Sequence, residues 1–206
     1  GITFLNEVVN TMRILEPNRI LDELRDHVMV SLKQKGVEDA ETKDGMDLAL
    51  IVIDKPNMKL QYSGAYNPLY FVRPLSAREK GALSEGNEIE LGVGAVHNDQ
   101  YMLEQVKADK MPIGISIKHS QPFTMHELDL KPGYSIYINS DGYVDQFGGA
   151  RGKKFMSRSF KKMLLELQDL PMSEQGRILD DRLLAWQGTE HPQIDDIIVI
   201  GIHTGK

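Results

Sequence analysis

KPGYSIYINSDGYVD, residues 131–145, carries the strongest structural signal in the chain. A Pro-Gly turn precedes a short run that contains Ile136 and Ile138, and this run stops at Asp141-Gly142. The pattern predicts a β-strand that places one carboxylate at the edge of a sheet, where the glycine lets the chain turn away. Taken alone, an Asp-Gly pair after a strand marks a turn more often than a functional site.

A second acidic segment, QIDDI at residues 193–197, also adjoins an apolar run, which favours a functional role for the Asp141-Gly142 turn. Asp195 and Asp196 lie where a loop meets this run, and Asp47 ends a third acidic segment, DGMD. Mg²⁺ and Mn²⁺ bind oxygen ligands, so a few aspartates that the fold brings together would hold them. Each segment also fits a solvated turn, and for Asp47 that interpretation is favoured.

Composition limits the class of protein. The chain has 206 residues, enough for one domain with a sizeable core, and residues 1–206 are read as a single domain. The net charge of −6 argues against a general nucleic-acid binder. Without cysteine the chain has no disulfides or thiolate metal sites, which favours the cytoplasm. The longest apolar runs have six residues, so the domain is expected to make no membrane contact.

Apolar residues repeat at helical spacing near the start of the chain, which predicts two amphipathic helices. The first carries on one face Ile2, Leu5, Val9 and Met12. The second, which follows Pro17, carries Ile20, Leu21, Leu24, Val28 and Leu32. An acidic loop is predicted at residues 37–43.

The middle of the chain reads mainly as strands. They are predicted over residues 46–54 (a buried strand), 59–63, 69–73, 101–106 and 123–130. Residues 74–98 are poorly patterned and read as a long loop. Helical patterning returns over residues 153–168 and 173–186, and a strand is predicted over residues 196–203. Antiparallel hairpins with helices outside them favour an α+β layered sandwich.

Other sequence motifs give only weak indications of function. The six histidines show no metal spacing, and no Gly-x-Ser-x-Gly or Walker-type sequence occurs, which argues against a Ser-His-Asp enzyme or a histidine-ligated zinc site. A basic cluster near the start of a predicted helix contains Lys153, Lys154, Arg158, Lys161 and Lys162. It reads as a solvated face, and otherwise as a docking patch for an acidic partner or a phosphoprotein.

Five segments resemble the PP2C-like (PPM) serine/threonine phosphatases of the bacterial SpoIIE type. They are DGMDLALIVID (44–54), LQYSGAYNPLY (60–70), DKMPIG (109–114), INSDGYVDQ (138–146) and QIDDII (193–198). The matches follow in order over nearly the whole chain, so together they are far more specific than any one motif. The chain looks most similar to the phosphatase output domains that end multidomain bacterial sensors.

The resemblance implies an α+β PP2C-like layered sandwich, in which helices flank two antiparallel β-sheets and a binuclear Mn²⁺ or Mg²⁺ site lies at one end. The implied reaction is hydrolysis of phosphoserine or phosphothreonine in a protein by a metal-bridging hydroxide. Asp141 matches the aspartate of the family's Asp-Gly motif and Asp195 the first aspartate of its terminal motif, so both are expected to be metal ligands and catalytic residues. Gly142, Asp196 and Asp47 complete the expected metal site, with Asp196 more a neighbour than a ligand.

One departure from the family matters. Its first motifs are an early strand with an aspartate, and then an aspartate before a Gly-His-Gly-type turn, and neither has a match in residues 1–43. The expectation is therefore a phosphatase domain that lacks its N-terminal strands and part of its metal ligands, with weak Mn²⁺ binding and little activity. The alternative is a non-catalytic regulatory or protein-interaction domain, a pseudophosphatase, on the same fold.

The resemblance also suggests partners. The expected substrate is a phosphorylated protein, such as an anti-sigma-factor antagonist, and upstream sensor domains are expected in a parent protein that can itself be membrane-anchored. A sheet edge without its neighbouring strands invites pairing with another chain, so a homodimer is also expected.

Overall fold

The computed structural model describes residues 2–34 and 44–205, so the predicted acidic loop at residues 37–43 lies outside the described residues. The chain divides into two compact units, which are described one at a time. The first comprises Gly1–Leu69 and Lys107–Leu130, and the second comprises Tyr70–Val106 and Lys131–Lys206. The single domain expected over residues 1–206 stays a prediction.

The order of elements along the chain begins with helices and ends with a strand. The helices are α1 (Ile2–Asn6), which continues as a π-helical turn (Glu7–Thr11), α2 (Pro17–Ser31), α3 (Ala77–Ser84), α4 (Gly142–Asp145), α5 (Ser157–Glu166) and α6 (Met172–Gln187). The first six strands are β1 (Gly45–Met46), β2 (Leu48–Asp54), β3 (Lys59–Ala65), β4 (Leu69–Pro74), β5 (Val96–His97) and β6 (Tyr101–Val106). The other six are β7 (Ile113–Gly114), β8 (His126–Asp129), β9 (Ser135–Asn139), β10 (Phe147–Gly148), β11 (Lys153–Lys154) and β12 (Val199–His203). None of the helices in the described ranges has the length and apolar character that crossing a bilayer requires.

The first unit is built on an antiparallel sheet with the strand order β2-β3-β8, beside the short pair of β1 and β7. The strands predicted at residues 46–54 and 59–63 form an antiparallel hairpin, in which β2 and β3 pair from Leu48↔Ala65 to Asp54↔Lys59. Residues 46–54 do not form one buried strand as predicted. The extended run is interrupted at Asp47, since β1 pairs with β7 while β2 pairs with β3, and β2 is only half-buried at an edge of its sheet. The homodimer expected through an open edge stays a prediction.

The predicted apolar face of the first helix is wrong at its two ends. Ile2 is 81% exposed and Met12 is 45% exposed, whereas Val8 is fully buried. For Met12 the cause is the π-helical turn, in which its amide donates to the Glu7 carbonyl at 3.0 Å, whereas Ile2 lies before that turn, at the exposed start of α1. A π-turn has more residues than an α-turn and therefore rotates the following side chains out of the expected phase.

The second predicted helix is confirmed as α2, which begins at Pro17, where the missing N–H costs no hydrogen bond. Ile20, Leu21 and Leu24 are buried as predicted, and α2 contacts β2, β3 and β7. Arg25 is buried beside them, although its charge gave no signal of burial in the sequence.

The buried Arg25 guanidinium makes several contacts within the first unit, although its Nε has no hydrogen-bond partner among the described residues. Its guanidinium donates to the Gln121 carbonyl at 2.7 Å and to Asp22 Oδ1 at 2.9 Å, and its Cζ lies 5.1 Å from the centre of the Phe123 ring. Asp22 Oδ1 also accepts from the Phe123 amide at 3.1 Å. Burial raises the pKa of Asp22, against the opposing effects of that hydrogen bond and of Arg25. The pair therefore joins α2 to the segment that precedes β8.

The second unit contains a five-stranded sheet in the order β12-β9-β4-β6-β5. α6 contacts β12, while α5 contacts β5 and β6. Its core includes Tyr137, Tyr143, Phe160, Leu164 and Leu179. The strands predicted at residues 69–73 and 101–106 are confirmed as β4 and β6, whereas those predicted at 123–130 and 196–203 are shorter than expected, as β8 and β12.

Residues 74–98 are not one long loop, because they contain α3 and β5. Ser76 Oγ accepts from the Glu79 amide while the Glu79 carboxylate accepts from the Ser76 amide, which together form a capping box. Arg73 adds two hydrogen bonds to the same carboxylate, at 2.9 and 2.8 Å, and a third to Glu104 at 2.8 Å. α3 is thus stabilised by its polar start rather than by an apolar face.

Replacing Glu79 with glutamine is expected to lower the free energy of unfolding by about 1 kcal/mol near neutral pH, because it weakens the capping box of α3. The hydrogen bond from Arg73, more than any other contact, lowers the pKa of Glu79 from 4.5 to about 2. Because the folded-state pKa is depressed, this stabilisation is complete above pH 4.5 and is lost as the pH falls toward about 2. Urea unfolding at several pH values should show a flatter acid dependence for Glu79→Gln, while Glu88→Gln, at an exposed carboxylate, should follow the parent chain. Equal acid profiles for Glu79→Gln and the parent would contradict the prediction.

Candidate active site

The turn predicted after residue 139 lies at the end of β9 and leads directly into the short helix α4. Asp141 is exposed at the start of this helix, where its carbonyl accepts from the Asp145 amide at 2.9 Å. Tyr143, two residues further on, is buried, and its hydroxyl donates to the Leu179 carbonyl at 2.7 Å. Burial also raises the pKa of Tyr143. The buried Tyr143 therefore fixes the turn that carries the exposed carboxylate of Asp141.

β12 brings the second acidic segment to this turn. It pairs antiparallel with β9, from Val199↔Asn139 to His203↔Ser135, so residues 195–198 lie beside residues 140–142. Ser140 joins the two segments: its amide donates to the Ile198 carbonyl at 3.0 Å, and its hydroxyl donates to the Asp196 carbonyl at 2.8 Å. The same hydroxyl accepts from the Ile198 amide at 3.0 Å.

Gly142 lets the two segments approach closely. A Cβ at this position would lie 2.5 Å from the Asp196 carbonyl oxygen and 3.1 Å from Ile197 Cγ1. No side chain fits at such a distance from a backbone atom, so glycine is required here by packing. The expected place of Gly142 in a metal site stays a prediction, and what the structure shows for it is this contact.

Asp195 and Asp196 are both exposed at the other side of the contact. Asp195 Oδ1 accepts from the Asp196 amide at 2.7 Å, and Gln193 Nε2 donates to the Asp195 carbonyl at 2.7 Å. These bonds order the loop before β12 and leave carboxylate oxygens open to solvent. The structure thus joins the segments of Asp141 and Asp195–Asp196, as the sequence predicted.

Asp47 belongs to the first unit, where it is exposed between β1 and β2. The neighbouring Met46 pairs with Ile113 of β7. The contribution of Asp47 to the predicted metal site stays a prediction.

A binding site for Mn²⁺ or Mg²⁺ requires several oxygen ligands, more than two aspartates provide. Within residues 2–34 and 44–205, no group of three or more His, Asp or Glu side chains is placed to hold a metal ion. Asp141 and Asp195 offer ligands of the right chemistry, but the described residues do not complete a donor set. They do not by themselves fit a metal ion.

Two buried amides beside the turn were not singled out from the sequence. Asn139 Oδ1 and Gln146 Oε1 are buried with no hydrogen-bond partner among the described residues. Gln146 Nε2 donates to the Phe147 carbonyl at 3.0 Å and to the Pro192 carbonyl at 3.2 Å, which joins the end of α4 to the loop that carries Asp195. The only sequence signal for these positions is the polar character of INSDGYVDQ at the end of an apolar strand.

Comparison with known proteins identifies the family and the fold of the chain. The chain matches the family model of Stage II sporulation protein E (SpoIIE) over residues 3–205. A search of curated protein sequences gave no match. The solved SiaA-PP2C domain of Pseudomonas aeruginosa is 25% identical and superposes with a TM-score of 0.73, over 98% of this chain and 66% of that one. The chain therefore spans slightly less than two thirds of that domain's chain.

Two more distant structures share the fold alone. A structure of the PP2C phosphatase domain and a fragment of the regulatory domain of the cell fate determinant SpoIIE from Bacillus subtilis is 14% identical, with a TM-score of 0.61 over 98% of this chain and 47% of that one. The serine/threonine phosphatase PstP/Ppp of Mycobacterium tuberculosis is 12% identical, with a TM-score of 0.53 over 99% of this chain and 81% of that one. The predicted resemblance and fold class are confirmed: the chain belongs to the SpoIIE family and has the α+β fold of PP2C phosphatases, with antiparallel sheets and helices.

Proposed function

We propose that this chain is the output part of a metal-dependent protein serine/threonine phosphatase in a bacterial signalling protein. The observation that carries the proposal is the joining of the Asp141 turn to the Asp195–Asp196 segment through Ser140, in a chain of the SpoIIE family. Two exposed carboxylate segments that are far apart in sequence meet at one end of a rigid strand pair. Such strand ends hold functional groups in a fixed geometry.

The proposed roles follow from the positions of the residues. Asp141 and Asp195 are the proposed catalytic carboxylates and the ligands for Mn²⁺ or Mg²⁺, Asp196 orders Asp195 through its amide, and Gly142 permits their approach. Further ligands would have to come from outside this set of residues, because the described residues do not complete a site.

The proposal includes a setting for the reaction. We expect a cytoplasmic phosphoprotein as substrate, for which an anti-sigma-factor antagonist is a candidate, and sensor domains that control the phosphatase from the same parent protein. Nucleic acid is not an expected partner, since the chain carries a net charge of −6.

A second candidate function is a non-catalytic regulatory domain, a pseudophosphatase, on the same fold. The specific observation in its favour is that no three metal-binding side chains converge within the described ranges. Under this reading the Ser140 contacts stabilise the end of the strand pair and the aspartates are solvated loop residues.

Phosphatase assays separate the two candidates. The 206-residue chain and a version extended upstream along its gene are compared with p-nitrophenyl phosphate and Mn²⁺, and Mn²⁺ binding is measured by calorimetry. We expect weak binding and little turnover for the 206-residue chain, and Mn²⁺-dependent turnover for the extended version. In the extended version, Asp141→Asn should lower turnover about 100-fold, while Asp180→Asn, at an exposed carboxylate of α6, serves as the matched control.

Two results would decide against the proposal or part of it. An extended version that binds no Mn²⁺ and shows no turnover supports the regulatory function instead. Robust Mn²⁺-dependent turnover by the 206-residue chain would show that its own residues suffice as ligands, which contradicts the expected incomplete site.

A further inference from the structure

Residues 147–162, the basic segment, are the most strongly charged part of the chain. They contain six Lys and Arg residues and no Asp or Glu, in a chain whose net charge is −6. The basic segment forms the hairpin of β10 and β11 and the first part of α5. Such a concentration of one charge in an acidic protein calls for a physical explanation.

Two of the six cations have partners inside the protein. Lys161 is 8% exposed, and its Nζ donates to the Gly94 carbonyl at 2.7 Å and to Gln105 Oε1 at 2.6 Å. Burial lowers the pKa of Lys161, so the solvated face predicted from the sequence is wrong at this residue. Lys154 pairs with Asp145 of α4 at 2.7 Å.

The other four cations are exposed, and none forms an ion pair with a carboxylate of the described residues. They are Arg151, Lys153, Arg158 and Lys162. An exposed cation without a partner is ordinary when it stands alone. Four in one short segment repel one another and attract anions.

Two of these four cations, Arg158 and Lys162, lie on α5, where their positions are unfavourable for helix stability. The N-terminus of a helix carries a partial positive charge and favours acidic residues, but the first turn of α5 has none. The N-cap residue Met156 makes no side-chain cap and has a φ of +75°. Arg158 and Lys162 are also four residues apart on α5, a spacing at which like charges destabilise a helix. Helix stability therefore does not explain this pattern, whereas an anionic partner would relieve the repulsion.

The hairpin that carries Arg151 and Lys153 is held firmly on a neighbouring surface. The Gly149 amide donates to the Trp186 carbonyl at 2.7 Å, and a Cβ on Gly149 would lie 2.7 Å from the Trp186 ring. The Trp186 indole in turn donates to the Gln146 carbonyl at 3.1 Å. Because the backbone of the hairpin is already ordered, the binding of an anion restricts mainly the rotamers of the exposed side chains.

The basic segment also adjoins the candidate active site. A Cβ on Gly152 would lie 3.1 Å from the ring of His191, which precedes Asp195 by four residues. Lys154 pairs with Asp145 at the end of the short helix that Asp141 begins. An anionic chain bound to the basic segment would therefore lie next to the exposed carboxylates.

We propose that the basic segment is the docking surface for an acidic, phosphoserine-containing segment of a protein substrate, with Arg151 and Lys153 as its main contacts. The proposal rests on the proposed function, because it names the class of substrate for the same site. Guanidinium groups bind phosphate and carboxylate through paired hydrogen bonds. A short acidic peptide can place its charges on the four cations alone, whereas a long nucleic acid or an anionic membrane would also extend over Asp141, Asp195 and Asp196 and be repelled.

Fluorescence anisotropy tests the docking surface without requiring turnover. The probe is a fluorescein-labelled peptide with one phosphoserine flanked by glutamates, and binding to the whole chain is measured in EDTA at low salt. We expect the double variant Arg151→Gln/Lys153→Gln to bind it about tenfold more weakly. Arg78→Gln/Lys80→Gln removes the same charge from exposed positions of α3 and should bind like the parent chain. Circular dichroism confirms that each variant is folded.

The outcomes are distinguishable from those of the phosphatase assay. The docking surface is supported if the peptide binds and only the basic-segment variant weakens it, even where no version of the protein shows phosphatase activity. It is overturned if the parent chain does not bind the peptide, or if both double variants lose affinity equally. Tighter binding to a DNA oligomer or to phosphatidylglycerol vesicles than to the peptide also overturns it, because these are different classes of partner.

Discussion

Gly142→Ala is expected to lower the free energy of unfolding by about 1–3 kcal/mol. The new methyl group would lie 2.5 Å from the Asp196 carbonyl oxygen. This oxygen cannot move away freely, because it accepts the Ser140 hydroxyl at 2.8 Å. The substitution must therefore push the start of β12 away from the end of β9. Urea unfolding measures the loss of stability, and hydrogen exchange of the Ile198 amide reports the separation directly.

Gly176→Ala is the matched control for this substitution. Gly176 lies inside α6, and a Cβ there would meet nothing within 4 Å. Alanine is a better helix former than glycine, so the control should raise the free energy of unfolding by up to about 1 kcal/mol. A decrease for Gly176→Ala, or no change for Gly142→Ala, would contradict the packing argument.

Arg25→Met is expected to lower the free energy of unfolding by about 3 kcal/mol. The guanidinium holds the Gln121 carbonyl at 2.7 Å and Asp22 at 2.9 Å while it covers the Phe123 ring. Methionine keeps much of the apolar stem but removes the cation, so Asp22 is left partly buried without its opposite charge. Thermal and urea unfolding measure the effect.

Arg19→Met on the same helix provides the comparison. Arg19 and Glu16 form an exposed pair at 3.6 Å, with 59% and 48% of their side chains accessible. Solvent screens such a pair, so the change in stability should stay within about 0.5 kcal/mol. The double variant Asp22→Asn/Arg25→Met should recover part of the loss, because it removes the unpaired carboxylate. A double variant as unstable as the sum of both single variants would show that Arg25 acts mainly through packing.

The elements that the sequence predicted well are those governed by local pattern. β3, β6 and α2 were each anticipated because alternation, helical spacing or a proline at a helix start acts within a few residues. α3 was missed because its stability comes from a polar start, in which Arg73 holds Glu79. The sequence Ser76-x-x-Glu79 is the local signal for this helix start, and apolar periodicity does not reveal it.

Other differences depend on contacts between residues that are far apart in sequence. The extended run at residues 46–54 divides because β1 and β2 pair with different strands, and no local pattern specifies these partners. A lysine near a helix start is usually exposed, so the sequence predicts a solvated Lys161. Its carbonyl and amide partners come from residues 94 and 105, and only the folded chain brings them together.

The candidate site was predictable in part. The Asp-Gly turn and the Asp-Asp segment were visible as motifs, and their ordered matches to a family made their meeting an expectation. The connection through Ser140 was not predictable, because a serine before an Asp-Gly pair has many local uses in turns. The close contact at Gly142 was likewise invisible, since a glycine in a turn is usually explained by backbone conformation rather than by a neighbouring strand.

The pairing of β9 with β12 also sets an order of events during protein synthesis. Between these strands the chain contains the basic segment and the helix α6, so Asp141 leaves the ribosome well before Asp195. Because domains assemble as their residues emerge, the hydroxyl of Ser140 has no Asp196 to bind until residues 195–203 are free. A nascent chain can form the core around Tyr143 and still lack the meeting of the two acidic segments. If these segments form the active site, the chain has no activity on phosphoproteins until β12 has paired with β9.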